Sequence, residues 1–94
     1  MGVEIVRVPP DFKHPLGEDG GAIPGAHLEP LYYLDGNLKT AYQLYENVTE
    51  GTPESPVLSS LAELRTWLLA QGWDAQRIDF LLEHGHAPSF IART

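Results

Sequence analysis

Four histidines and a spaced run of glutamates are the side chains of this 94-residue sequence that invite chemistry. His84 and His86 straddle Gly85 with Glu83 adjoining, while His14 and His27 lie far up the chain. A zinc site needs three or four converging ligands, and the helical i, i+4 histidine pair that supplies two at once is missing. His84 has a simpler role, as a cation favoured by the dipole at a helix C-terminus. No metal is therefore expected. No cofactor is expected either, because no phosphate-cradling glycine loop follows a strand and no Gly-x-Ser-x-Gly elbow occurs. With zero cysteines, a thiolate nucleophile, a thiolate zinc site and a disulfide scaffold are all ruled out.

Glu46, Glu50 and Glu54 recur every four residues, and no Lys or Arg occurs between Lys39 and Arg65. Carboxylates do general acid–base work only where burial or proximity separates their pKa values. On a strand end and a Pro/Gly turn these three read as a solvated acidic rim and a docking edge. The expectation is that the protein is not an enzyme; a small hydrolase using the same acids is the catalytic alternative. Tyr32, Tyr33, Tyr42 and Tyr45 are of the type that stacks on nucleic-acid bases, but such platforms are interleaved with Lys and Arg, and here Lys39 stands alone. The net charge of −7 also argues against phosphate-backbone binding and favours a basic protein partner.

Elements must position these groups. Val3–Val8 is β-branched, ends at Pro9-Pro10, and reads as a short edge strand. Residues 9–30 hold five of the eight prolines and read as a long loop. That loop is expected to be ordered, pinned by Phe12 and Ile23, with His14 and His27 facing outward as contact residues. Asp35-Gly36-Asn37 between Leu31–Leu34 and Thr40–Glu46 signals a hairpin over 31–48, with Tyr42, Leu44 and Glu46 on one face. Ser60 opens a capping box with Glu63, in which Glu63 reaches back to the cap residue. A helix then runs to Gly72, and Asp74 caps a second that ends near Gly85. Leu61, Leu64, Trp67 and Leu68 share one helical face; Ala75, Ile78, Leu81 and Leu82 share another. Phe80 points away from it, either covered by Phe90 in the tail or left as a partner contact. The fold class expected is α+β: a small, mainly antiparallel three-stranded sheet with a C-terminal helix pair (60–85) on one face. Residues 1–94 form one domain.

Arg7-Val8-Pro9-Pro10-Asp11-Phe12-Lys13-His14-Pro15 resembles the opening of a group of small phage and prophage accessory proteins. Tyr42 to Val57, with its Glu-Gly-Thr-Pro-x-Ser-Pro run, is similar to their second hallmark, and there as here a helix ending in Trp-Leu (Trp67-Leu68) follows. Gly85, Ala87, Pro88 and Ser89 match a third segment. The resemblance implies a mobile-element origin and brings no catalytic residues with it. Some such proteins are anti-CRISPR inhibitors. The expected function is thus a phage-encoded acidic protein that binds and inhibits or redirects a host protein, through Glu46, Glu50, Glu54, Phe80, His14 and His27. A particle structural or assembly role, with self-association, is the alternative. No apolar run approaches the roughly 18–20 residues that cross a bilayer, and the N-terminus lacks a signal pattern. The expected location is the host cytoplasm.

Overall fold

A computed structural model describes residues 2–87. Strands β1 (Val3–Val8) and β2 (Ala41–Glu46) pair antiparallel at its centre, with Val3 opposite Glu46 and Val8 opposite Ala41. Two-residue strands flank them. β3 (Thr52–Pro53) pairs with β2, and β4 (His86–Ala87) pairs with Val3 and Glu4 of β1, giving the order β3-β2-β1-β4. The sheet therefore has four strands where three were expected. Two residues are too few to show alternation, and a proline in β3 is a signal against a strand except at an edge.

The α+β class holds. Helices α2 (Leu61–Ala70) and α3 (Ala75–His84) lie against one face of the sheet, where Val3, Leu44, Leu64, Leu68, Ile78, Leu81 and Ala87 form the larger core. Both helices are capped from the sequence side. Ser60 accepts from the Glu63 N–H and Asp74 from the Arg77 N–H, while Gly85 ends α3 with φ +79°, the left-handed geometry that a glycine adopts without a Cβ clash. Glu63 reaches back one residue further than a capping box requires, binding the Ser59 amide and hydroxyl. Leu61 is a correction too: it is 40% exposed, since it stands in the first turn on the solvent side of Leu64.

The opposite face carries a second core of Val8, Leu31 and Ala41, with Val6, Phe12, Leu34 and Val57 packed on it. Its cover is the long loop, not a hairpin. Leu31–Leu34 was expected as a strand; instead α1 (Leu28–Tyr32) occupies this stretch, followed by a 3-10 turn at Gly36–Leu38. The reason is local. Pro30 sits in the first turn of α1, where its missing N–H has no helical partner to lose, and Glu29 beside it suits the positive helix end. Asp35 then accepts from the Asn37 N–H at 2.9 Å and closes a 3-10 turn, where the Asp-Gly-Asn run suggests a strand reversal.

Candidate functional site

The loop layer is held down by the two histidines expected to face solvent. His14 is 8% and His27 2% exposed. Nε2 of His14 donates to the Ile23 carbonyl at 2.6 Å, because a carbonyl can only accept; in the neutral ring Nδ1 is then the acceptor for the Tyr45 hydroxyl at 3.1 Å. His27 lies over Tyr45 with ring centroids 4.1 Å apart and 5.4 Å from the His14 ring. Burial, and secondarily the nearby His14, lower its pKa, and burial pushes the Tyr45 phenol up to about 12. Gly51, with φ +115°, lets the β2–β3 turn press on this cluster: a Cβ there would stand 2.8 Å from the His27 ring. Ile23 itself is 44% exposed, so it anchors the loop through its carbonyl and not its side chain; Phe12 packs as expected.

What this cluster positions is α1. Leu31 turns inward, while Leu28, Tyr32 and Tyr33 are left on the outside, the tyrosines 80% and 75% exposed and set edge to face at 5.1 Å. The strand expected at Leu31–Leu34 gives no sign of this exposed pair. The signal available was Pro30 three residues after His27, with Leu31 and Leu34 three apart, a helical spacing.

Between α1 and β1 runs a cleft of about 430 Å³, bordered by Glu4, Val6 and Arg7 on one wall, Leu28 and Tyr32 on the other, and Lys39 at its end. Arg7 donates to the Lys39 carbonyl at 2.7 Å, and Lys39 Nζ to the Leu31 carbonyl at 3.2 Å at the end of α1. Both cations meet neutral acceptors. Among the described residues the ion pair is elsewhere, between Arg65 and Asp79.

The three glutamates expected to form one rim have three different surroundings. The Glu46 carboxylate accepts from the amides of Val48, Thr49 and Thr52 and from the hydroxyls of Thr49 and Thr52. The hydroxyls of Thr49 and Thr52, followed by the Thr49 amide, bring its pKa down to about 2. It organises the β2–β3 turn, and near neutral pH it has no proton to give. Glu50 stands on the loop side against Gly25, whereas Glu54 borders a hollow on the helix side lined by Trp67, Trp73 and Arg77. Phe80 is 36% exposed and rests on His84, with ring centroids 4.3 Å apart. Phe90, expected as its cover, lies outside the described residues. No group of three metal-ligating side chains occurs among the described residues.

No protein-family model, no curated protein and no solved structure matches the chain.

Proposed function

We propose that the chain is a phage-borne module that binds a host protein and acts by occluding it, as anti-CRISPR inhibitors do, with α1 as the central contact. One observation carries this: Leu28, Tyr32 and Tyr33 are displayed together on a helix whose inner side is pinned by Leu31 and the His14–His27–Tyr45 cluster. Tyrosine offers large contact area at low entropic cost and is enriched among the few residues that dominate binding. A rigid mount lowers that cost further. The resemblance to phage accessory proteins supports the origin, and the net charge of −7 supports a basic partner, which nucleic-acid-handling machinery supplies in a bacterial cytosol. Glu29 in the first turn of α1 and Glu50, against Gly25 in the loop layer, add acidic character to this side of the molecule.

The test is affinity capture from host lysate with the wild type and with Tyr32→Ala/Tyr33→Ala. Both side chains are solvent-exposed, so the double variant should keep its melting temperature while retention of the captured protein falls at least tenfold. Equal capture by the two proteins overturns α1 as the contact. Elution of the free chain as a concentration-dependent oligomer overturns the host-binding reading in favour of an assembly role.

A further inference from the structure

The outer edge of β1 is only half closed. Ile5 and Arg7 lie opposite Leu44 and Tyr42. The backbone groups of those two β2 residues point to the other side: the Glu54 amide donates to the Leu44 carbonyl, and Tyr42 exchanges two hydrogen bonds with Leu58. In an antiparallel ladder this makes the facing pairs non-hydrogen-bonded, so Ile5 and Arg7 direct their own N–H and C=O groups outward. The Ile5 N–H meets the Gly85 carbonyl at 2.8 Å, and β4 covers Val3 and Glu4. Antiparallel to β1, β4 runs from Glu4 towards Val3, away from Arg7. The Ile5 carbonyl and both backbone groups of Arg7 have no hydrogen-bond partner among the described residues.

Ile5 and Arg7 also line the cleft beside α1, whose far wall is apolar (Leu28, Tyr32), whose β1 wall carries Glu4 beside Val6, and whose end holds Arg7 and Lys39, neither of them in an ion pair among the described residues. Two cations without an ion-pair partner, against the single carboxylate of Glu4 in the same lining, stand out in a chain with 13 acidic and 6 basic residues. We propose that this edge takes up an extended segment of the partner by strand addition, with an Asp or Glu side chain of that segment set between Arg7 and Lys39. The backbone groups of the segment pair with Ile5 and Arg7, its apolar side chains lie along Leu28 and Tyr32, and its carboxylate selects the register. A basic partner and an acidic segment are compatible because they act at different ranges. Net charge steers encounter over a Debye length of about 8–10 Å, whereas the carboxylate acts only once seated. A second copy of this chain suits the edge poorly, as each carries −7.

This inference rests on α1 as the contact face, and it is tested separately from it. The probe is a blocked peptide of about six residues, alternating Val and Thr around a central Glu, compared with its Lys counterpart. It is titrated into the full chain and followed by amide NMR. Amide shifts should centre on Ile5 to Arg7 and on Lys39, and exchange of the Arg7 N–H should slow at least tenfold at saturation. The Glu peptide should bind about tenfold tighter than the Lys peptide. Arg7→Pro removes the donor and should abolish binding. Should that variant not fold, Arg7→Gln/Lys39→Gln leaves the backbone intact and should make the two peptides equal. Equal affinities in the wild type, shifts confined to Tyr32 and Tyr33, or an Arg7 N–H already protected in a dimer without peptide each overturn the proposal. Failure of the peptide with tyrosine-dependent capture intact removes the strand addition alone; peptide binding at the edge with capture indifferent to the tyrosines removes the α1 reading alone.

Discussion

His27 and Glu46 are polar side chains buried or saturated by neighbours, and each ties fold stability to pH in its own window. His27 titrates near 6.5 when unfolded and lower when folded, because burial and the adjacent His14 penalise the cation. Below pH 6.5 the unfolded chain therefore binds the proton first. Stability is intact above that value and falls as pH drops through the folded pKa. Glu46 works lower. Its contribution is present above pH 4.5 and is lost as pH falls towards about 2, when the turn's five donors lose their anion. Urea midpoints measured at pH 7 and pH 5 should fall for the wild type and fall less for His27→Phe, which keeps an aromatic ring over Tyr45 without a titrating group. An identical pH 7-to-5 loss in both proteins would place the acid sensitivity elsewhere. Gly51→Ala is expected to cost about 1–3 kcal/mol at pH 7 from its backbone conformation, with the 2.8 Å contact to His27 adding to it.

At the level of elements, the helix pair and the loop layer differ in how far local pattern determined them. Leu64 is fully buried between α2 and the sheet, so Leu64→Ala should cost about 2–5 kcal/mol in chemical denaturation. Leu61→Ala, at a site 40% exposed, should stay within about 0.5–1 kcal/mol. Equal losses would mean that α2 is rotated about its axis. These helices were legible because caps and apolar spacing agree locally: Ser60, Asp74 and Gly85 mark ends, and Leu64, Leu68, Ile78 and Leu81 mark the inner faces. β1 and β2 were legible from β-branched and alternating residues. The partner of β2 was not, since a nearby turn favours a hairpin over a strand more than thirty residues away, and Asp35-Gly36-Asn37 fits a 3-10 turn as well as a strand reversal. The candidate site was missed for the same reason. Placing Tyr32 and Tyr33 in a strand hides them, and outward histidines follow from treating a polar residue in a loop as exposed. Composition does not show that His14 and Tyr45, 31 residues apart, satisfy one another.

At the scale of the whole molecule, charge and shape act together. The body measures 36 × 29 × 20 Å, so its thinnest dimension is about two Debye lengths at 0.1 M salt. Charges on the far face are therefore screened at that salt; at 0.01 M, where the Debye length is about 30 Å, an approaching basic protein senses the net −7 from any side, whereas the final contact discriminates between faces. Glu50 and Glu54 separate these two effects, because one stands against the loop layer near Gly25 and the other borders the helix-side hollow at Trp67 and Trp73. Glu46 is unsuitable for such a test, since its reversal would dismantle the turn. Glu50→Lys and Glu54→Lys each change the net charge by the same amount, so both should slow association with the captured partner several-fold at low salt, and added salt should shrink the difference from wild type. Dissociation distinguishes them. Glu50→Lys, on the α1 side, should also speed release, while Glu54→Lys should leave it within about twofold. Surface plasmon resonance at two salt concentrations reads both rates. Faster release with Glu54→Lys alone would move the contact to the helix face, and unaltered association in both variants would reduce the acidic surface to an aid to solubility.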